Sequence, residues 1–293
     1  MKTSDLAELL LLGAVWGASF LFMRWGAPEF GALTLAWLRV LGASLVLLPL
    51  LMLRQGKQPL SDMGQHWKPL LVFGLLNSAL PFALFAFAAL HLPAGLSSIL
   101  NATVPMWSAL VAWAWLSQAP TATRLLGLGI GFGGVVLLIW AKTGLAGDAR
   151  LWAVLACLLA TLNYAVAAIG TKRWLGSLSP LTVATGSQVS AMLWLTLPGL
   201  LAWPATTPGA RSWMSLGLLA LLCTALAYIL YFRLMSRVGA QNAVTVTFLI
   251  PLFAVLWGAL FLGEALTLPM LGGGAMVLAG TALALGLWPR LRV

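Results

Sequence analysis

One charged side chain, that of Arg39, lies well inside an apolar stretch of the sequence. If that stretch spans a membrane, an arginine at depth costs about 3 kcal/mol or more, so it usually faces a partner or a cavity. Its guanidinium could attract the carboxylate of a bound ligand. Alternatively, the long side chain could reach a membrane interface or hold helix ends together. The sequence leaves both interpretations open.

Polar side chains cluster beside prolines in the first half of the chain. Asn77 precedes Pro81, whose ring removes a backbone donor and frees a carbonyl one turn back. Ser97 and Asn101 are four residues apart and share a helix face, and Pro105 follows four residues later. Kinked, polar-lined helices are typical of a cavity wall. Hydrogen bonding between packed helices is the alternative role for these side chains.

Aromatic and hydroxyl side chains supply the remaining candidates for ligand contacts. Trp16 and Tyr164 lie within apolar stretches, Tyr228 shares a helix face with Tyr231, and Thr245 precedes a proline. Aromatic rings in a cavity would stack on aromatic or aliphatic ligands, whereas the alternative for any one ring is contact with lipid. The predicted ligand-contacting residues are Trp16, Arg39, Asn77, Ser97, Asn101, Tyr164, Tyr228 and Thr245, with helix kinks at Pro81, Pro105 and Pro251.

The titratable residues form no set that could perform enzyme chemistry or bind a metal. The acidic residues fall at predicted helix ends or in loops, as do His66 and His91. Cys157 and Cys223 lack metal-ligand spacing and resemble small buried apolar residues. We therefore expect no enzyme activity, no metal and no other cofactor. We also expect no proton relay, which needs titratable groups at depth, while sodium binding by backbone carbonyls stays open.

Composition places these residues in a membrane protein. Apolar types make up 61 % of the 293 residues and charged types 8 %, whereas a soluble domain carries about 25 % charged residues. The apolar stretches run about twenty residues without alternation, which predicts helices rather than a barrel. The net charge of +10 comes from basic residues in short loops, without a nucleic-acid motif. We expect an all-α membrane protein in contact with the lipid bilayer and no nucleic-acid partner.

Breaks in hydropathy predict ten transmembrane helices. Their limits are 6–26, 31–53, 69–90, 94–117, 124–141, 150–170, 180–203, 213–235, 240–262 and 267–288. The longest connection, Arg54–Lys68, has room for little more than a turn. With a cytoplasmic N-terminus, the outside would hold only Arg24, Lys142, Arg150 and Arg211. The inside would hold Lys2, Arg54, Lys57, Lys68, Arg124, Lys172, Arg173, Arg233, Arg237, Arg290 and Arg292. This positive-inside bias predicts that both termini are cytoplasmic.

The chain contains an internal repeat with an offset of 146 residues. Ala89–Leu138 aligns without a gap on Met235–Ala284, and the alignment pairs Pro105 with Pro251. Each half contains five spans, and because five is odd the halves must have opposite orientations. Inverted repeats of this kind are typical of secondary transporters, whose binding site lies between the halves near the midplane. The predicted units are the first five-helix repeat, 1–145, and the inverted second repeat, 146–293.

Glycines fill both the fifth and the tenth predicted span, and the repeat aligns one run with the other. Small residues allow helices to approach closely, so we predict a tight contact between these two spans. The glycines are Gly127, Gly129, Gly131, Gly133 and Gly134, and Gly272, Gly273 and Gly274.

Several short motifs, each weak alone, occur in an order that is typical of one family. They are Trp16–Phe20, Arg39, Leu80–Phe85, Ala94–Gly95, Asn101–Pro105, Pro251 and Leu262–Glu264. Together with ten spans in a five-plus-five repeat, they make the whole chain resemble the drug/metabolite transporter superfamily, EamA type. Within that superfamily it is similar to the YddG-type exporters of aromatic amino acids. Gln118 stands at the position that matches Glu264, so the acidic motif occurs once, which argues against a symmetric role for the pair.

The resemblance implies an inner-membrane exporter of aromatic and other hydrophobic amino acids that works by alternating access. The absence of acidic residues at depth predicts uncoupled transport. A carrier of drugs or other metabolites is the alternative within the superfamily, although phosphorylated substrates would demand more buried basic groups than Arg39 alone. A membrane enzyme, a channel or a structural membrane protein are alternatives from other classes. One chain suffices for a transport path, so no oligomer is required.

Overall fold

The computed structural model of the protein describes residues 3–143, 149–239, 243 and 245–286. These residues are helical almost throughout, and none of them forms a β-strand. The all-α class predicted from the sequence is therefore confirmed.

The helices follow one another with short connections. The first half contains α1 (Thr3–Phe30), α2 (Ala32–Gln55), α3 (Gln58–Gln65), α4 (Trp67–Gly74), the π-helical segment π1 (Leu75–Ala79), α5 (Leu80–His91), α6 (Ala94–Asn101), α7 (Val104–Leu116) and α8 (Ala122–Thr143). The second half contains α9 (Ala149–Trp174), α10 (Pro180–Leu201), α11 (Ala210–Gly217), the π-helical segment π2 (Leu218–Leu226), α12 (Ala227–Val238), α13 (Val246–Leu262) and α14 (Leu268–Leu285).

Eight helical stretches in the described residues are long and apolar enough to cross a membrane. Three of them are composite: α4 continues through π1 into α5, α6 is followed by α7, and α11 continues through π2 into α12. The helix α13 is apolar but has only 17 residues. The helix α10 is also not one of the eight stretches. It has 22 residues but buries polar side chains, among them Ser187 and Gln188. The protein is therefore a multi-pass membrane protein, and the count of ten spans stays a prediction.

The longest connection contains more structure than the sequence led us to expect. Instead of little more than a turn, it holds the eight-residue helix α3. Pro59 lies in the first turn of this helix, where a missing N–H group leaves no intrahelical bond unmade. Gln58 Nε2 donates a hydrogen bond to Asp62 Oδ1 at 3.0 Å, one turn further on. The expectation was wrong because a short polar helix at the surface needs no apolar stretch.

Some features of the sequence analysis lie outside the described residues. They include the beginning of the ninth predicted span at residue 240 and the end of the tenth at residue 288. Lys2, Arg290 and Arg292 also lie there. The positions of both termini relative to the membrane stay a prediction.

The glycines of α8 and α14 bring these two helices into close contact. A Cβ atom on Gly134 would lie 2.7 Å from the carbonyl oxygen of Gly273, and one on Gly280 would lie 2.5 Å from that of Gly127. Such distances leave no room for a side chain, so backbone packs directly on backbone. The predicted tight contact between the fifth and tenth spans is confirmed.

Other helices of the two halves pack around a common centre. Along α1 and α13, a Cβ atom on Gly17 would lie 2.9 Å from the backbone nitrogen of Ala254. Between α2 and α10, the Thr34 hydroxyl donates to the carbonyl oxygen of Gly199 at 3.0 Å. The helix α5 packs on α9. Each pair joins one helix from either half of the chain, so both halves contribute to the centre.

Candidate functional site

A cavity of about 270 Å³, the central cavity, lies between helices of both halves. Its walls come from α1, α2, π1, α5, α6, α7, α9, π2, α12 and α13. All three tyrosines of the chain line it. The complete lining is Trp16, Ser19, Phe20, Met23, Arg39, Asn77, Phe82, Phe85, Asn101, Val104, Tyr164, Cys223, Tyr228, Tyr231, Val246, Thr247 and Ile250.

The central cavity brings together most of the residues that the sequence singled out. Those that line it are Trp16, Arg39, Asn77, Asn101, Tyr164 and Tyr228. Ser97 and Thr245 are not part of the lining. Ser97 shares α6 with Asn101, but its hydroxyl is buried beside the Cys157 thiol rather than in the cavity. Thr245 directly precedes α13, and its neighbours Val246 and Thr247 reach the cavity instead.

Arg39 is fixed in the wall of the central cavity. It is 6 % exposed, and its Nε donates to Thr224 Oγ1 at 2.9 Å. Its guanidinium carbon lies 3.8 Å from the centroid of the Phe82 ring, so a cation–π contact supports it. The lining contains no aspartate or glutamate. Because a charge held away from water without a counter-ion is costly, this position favours binding of an anionic group.

A break between α6 and α7 presents Asn101 to the central cavity. The helix α6 ends at Asn101, and α7 begins at Val104 with Pro105 in its first turn. The Asn101 side chain lines the cavity and has no hydrogen-bond partner among the described residues. The C-terminus of a helix also has a partial negative charge. The amide oxygen and the helix end therefore suit a ligand ammonium group.

Aromatic rings in the lining of the central cavity form three contacts with one another. Trp16 of α1 and Tyr231 of α12 have ring centroids 5.2 Å apart. Phe85 of α5 stacks on Tyr164 of α9 at 6.3 Å with planes 25° apart, and it also meets Phe20 edge-on at 5.6 Å. These rings offer broad apolar surfaces with preferred stacking geometry. They suit a ligand with a flat or bulky apolar side chain.

A buried polar network holds the cavity wall next to π1. Asn77 Nδ2 donates to Tyr228 Oη and to Ser187 Oγ, both at 3.4 Å. Ser78 Oγ lies 2.9 Å from Ser187 Oγ and accepts a hydrogen bond from Gln188 Nε2 at 2.9 Å. These residues belong to π1, α10 and α12, so the network joins the two halves. It fixes the Tyr228 ring at the edge of the cavity.

The internal repeat could have identified several lining residues that were not predicted from the sequence. The 146-residue offset extends without a gap from Ala89 back to Leu75, which aligns π1 with residues of π2. Under an inverted repeat, equivalent positions lie symmetrically about the centre, so one lining residue predicts its counterpart. Five such pairs line the cavity: Asn77 with Cys223, Phe82 with Tyr228, Phe85 with Tyr231, Asn101 with Thr247, and Val104 with Ile250.

Helical periodicity indicates further lining residues on α1. Trp16, Ser19, Phe20 and Met23 line the cavity from one face of α1, at spacings of three and four residues. Of these four residues, only Trp16 stands out in the sequence, because Ser19, Phe20 and Met23 resemble ordinary residues of a packed helix. Their exposure to a cavity depends on which neighbours surround α1.

The three predicted proline kinks have different surroundings. Pro81 is the second residue of α5, which follows π1 directly. Pro105 lies in the first turn of α7, after α6 has ended. Pro251 lies inside α13, which continues through it. Irregular backbone therefore accompanies Pro81 and Pro105, both next to the central cavity.

The side chains of the central cavity are suited to binding a small molecule. The lining offers a guanidinium, amides, hydroxyls, a thiol and aromatic rings, but no histidine or carboxylate that could act as general base. In the part of the chain that the structure describes, no three His, Cys, Asp or Glu residues are placed to hold a metal ion. The arrangement can bind and orient a small molecule.

Comparison with protein families finds two matches to the EamA-like transporter family, at residues 6–140 and 151–286. One match falls in each half of the chain. The same family model therefore describes both halves, as an internal repeat requires.

Three curated relatives are each 26 % identical to this chain. The uncharacterized transporter YvbV of Bacillus subtilis aligns over 96 % of this chain and 92 % of its own length. The uncharacterized inner membrane transporter YedA of Escherichia coli aligns over 95 % and 90 %. The probable terminal-alkyne amino-acid exporter of Streptantibioticus cattleyicolor aligns over 97 % and 94 %. The chain therefore spans nearly the full length of proteins named as transporters.

One crystal structure of a protein superimposes on the whole chain and is itself covered completely, with a TM-score of 0.67 and 17 % sequence identity. At this identity, the likeness concerns the fold alone. The helix arrangement thus occurs in a second protein of distant sequence.

Proposed function

The chain belongs to the EamA-like transporter family, and we propose that it exports aromatic and other hydrophobic amino acids across the inner membrane as a secondary transporter. The observation behind this proposal is the central cavity, in which a buried guanidinium and an unpartnered amide face aromatic rings. A relative of similar length is named as a probable amino-acid exporter, which supports the same substrate class.

Each part of an amino-acid zwitterion has a counterpart in the central cavity. Arg39 would bind the carboxylate by charge-assisted hydrogen bonds, which are roughly twice as strong as neutral ones. The Asn101 amide oxygen and the C-terminal end of α6 would face the ammonium group. The aromatic side chain of the substrate would lie against Tyr164 and Tyr231, where ring contacts add about 0.5–1.5 kcal/mol each beyond buried area.

We place this site at the centre of ten transmembrane helices arranged as two inverted five-helix repeats, 1–145 and 146–293, with both termini cytoplasmic. In this arrangement α10 and α13 serve as the seventh and ninth spans. The five repeat-related pairs in the lining support a site on the axis between the halves. Alternating access follows when the halves exchange conformations around that fixed site.

We propose that transport is uncoupled from protons. Asp5 and Glu8 lie near the beginning of α1, where Glu8 forms ion pairs with Arg233, at 2.8 Å, and with Arg237. Glu264 lies after α13 and accepts hydrogen bonds from the first backbone N–H groups of α6. A proton relay needs titratable groups inside the membrane, and these carboxylates are already engaged at helix ends.

The first test is uptake of radiolabelled tryptophan, phenylalanine and threonine into liposomes that contain the purified protein, with and without a pH gradient. We expect saturable uptake of the two aromatic amino acids that is independent of the gradient. Accumulation above equilibrium driven by the gradient would refute uncoupled transport. No uptake of any of the three would overturn the substrate assignment and favour a drug or another metabolite as substrate.

Substitution of Arg39 tests the orientation of the substrate. We expect Arg39→Gln to weaken phenylalanine uptake roughly 10- to 100-fold, the loss of one or two charge-assisted hydrogen bonds. Phenethylamine, which lacks the carboxylate, should compete for the site equally well in both proteins. Arg211→Gln is the matched control, because Arg211 packs over the Trp25 ring, at 4.2 Å, outside the cavity. Equal losses for both ligands would show that Arg39 only supports the wall.

A further inference from the structure

Thr224 contacts Arg39 but is not part of the lining of the central cavity. It belongs to π2 and is almost completely buried. Its hydroxyl donates a hydrogen bond to the carbonyl oxygen of Leu219, five residues earlier, at 2.7 Å, which is the spacing of a π-helical turn. A hydroxyl has a single proton, so this oxygen can only accept from its second partner. That partner is Arg39 Nε, which donates to it at 2.9 Å.

The contacts of Arg39 leave one edge of its guanidinium for a ligand. Thr224 occupies Nε, and the Phe82 ring lies against one face, with its centroid 3.8 Å from the central carbon. Nη1 lies 4.0 Å from the sulfur of Met23, and a thioether is a weak acceptor. Nη2 has no hydrogen-bond partner among the described residues, and it is not one of the nitrogens that lack accessible surface. The two terminal nitrogens therefore form a fork that matches the two oxygens of a carboxylate.

The internal repeat places an equivalent hydroxyl in the other half of the chain. The 146-residue offset aligns Thr224 of π2 with Ser78 of π1. Ser78 Oγ accepts a hydrogen bond from Gln188 Nε2 at 2.9 Å, as Thr224 does from Arg39. Each donor comes from the opposite half, Arg39 from α2 and Gln188 from α10. Gln188 is neutral and does not line the cavity, so of these two pairs only the one with Thr224 presents a charge to a ligand.

We propose that Thr224 is a positioning residue for the substrate: by holding Arg39 Nε, it turns the two terminal nitrogens toward the cavity, where they bind the substrate carboxylate end-on. This inference rests on the proposed function, since it concerns the same site and the same class of substrate. Arginine has many rotamers, and ordering them costs free energy. Because Thr224 orders the side chain before the substrate arrives, less of that cost falls on binding.

The test is uptake of radiolabelled phenylalanine into liposomes that contain the full chain, with phenethylamine as a competitor that lacks the carboxylate. We expect Thr224→Val, which keeps the branched shape but removes the acceptor, to raise the KM for phenylalanine roughly tenfold. The maximal rate and the inhibition constant of phenethylamine should stay the same. Thr224→Ser retains the hydroxyl and should keep the KM within about threefold of the unmodified protein. Thr224→Ala removes the same acceptor and gives the same reading if Thr224→Val does not fold.

Thr34→Val is the matched control. Thr34 is a buried threonine of α2 whose hydroxyl also bonds to the other half of the chain, at the carbonyl oxygen of Gly199, and it does not line the cavity. We expect this variant to lower the melting temperature but to leave the KM for phenylalanine and the inhibition constant of phenethylamine unchanged. A raised KM in Thr34→Val equal to that in Thr224→Val would show that any lost bond between the halves has this effect, and would overturn the positioning role.

The other outcomes separate this inference from the proposed function. An unchanged KM in Thr224→Val would overturn the positioning role. Equal losses for phenylalanine and phenethylamine, or a KM in Thr224→Ser as high as in Thr224→Val, would also overturn it, because Thr224 would then only support the packing of π2. All of these results leave the proposed function intact if Arg39→Gln loses phenylalanine selectively. No phenylalanine uptake by the unmodified protein would overturn the proposed function and this inference together.

Discussion

The contact between α8 and α14 and the central cavity are built in opposite ways. In the contact, glycines let two backbones approach so closely that a Cβ atom on Gly280 would meet Gly127 and Gly131 at 2.5 Å. In the cavity, the Asn101 amide has no hydrogen-bond partner among the described residues, and Arg39, although it contacts Thr224 and Phe82, has no carboxylate beside it in the lining. The first region gains stability from close packing. The second sacrifices stability by leaving polar groups available to a ligand.

The largest effect should come from adding one methyl group to the α8–α14 contact. We expect Gly280→Ala to lower the free energy of unfolding by about 3 kcal/mol, the upper end of overpacking costs, because the new Cβ meets backbone that cannot rotate away. Thermal unfolding of the purified protein measures this. Gly129→Ala is the matched control on α8, since nothing lies within 4 Å of its Cβ position. Equal melting temperatures for the two variants would contradict the described packing.

Removal of the charge from the central cavity should separate stability from function. We expect Arg39→Met to raise the free energy of unfolding by about 1–3 kcal/mol, because an apolar side chain replaces a buried charge without a counter-ion. The same variant should lose phenylalanine uptake. Thermal unfolding and liposome uptake on one preparation give both values. A loss of stability would indicate that the Thr224 and Phe82 contacts of Arg39 outweigh its desolvation.

Asn101 and Ser97 both belong to α6, but only Asn101 lines the central cavity. We expect Asn101→Ala to reduce phenylalanine uptake about tenfold, the cost of one hydrogen bond to a charged group, with unchanged stability. Ser97→Ala should leave uptake unchanged, because Ser97 does not line the cavity. Uptake kinetics measured side by side would refute this distinction if both variants lost activity equally.

The smallest effect should come from the hydroxyl of Tyr231. Its ring contacts Trp16, and the hydroxyl makes no hydrogen bond to the residues described. We expect Tyr231→Phe to change the apparent KM for phenylalanine less than threefold, because the stacking surface persists. Tyr231→Ala should raise that KM about tenfold by removing the ring. A large effect of Tyr231→Phe would point to a direct hydrogen bond with the substrate.

Much of the architecture could be predicted because it follows from local patterns. Runs of apolar residues specify the helices, since backbone groups in a bilayer must be satisfied within each span. The glycine runs of α8 and α14 predicted that these helices are in contact, because small residues let two helices approach closely. The helix α3 was missed because its polar sequence has no such run. The π segments were also missed, because π-helical geometry has no strong residue signature.

The sequence by itself determined that the chain is an all-α membrane protein, and six of the eight ligand-contacting residues that it predicted line the central cavity. Polar and aromatic side chains inside apolar spans are few, so residue type alone identified Arg39, Asn101 and Tyr164. Only the tertiary structure decided that Ser97 is not part of the lining and that Ser19, Phe20 and Met23 are. A helix has several faces, and the neighbours that cover each face come from distant parts of the chain. The division of the polar groups into partnered and unpartnered ones was likewise decided by packing between the two halves.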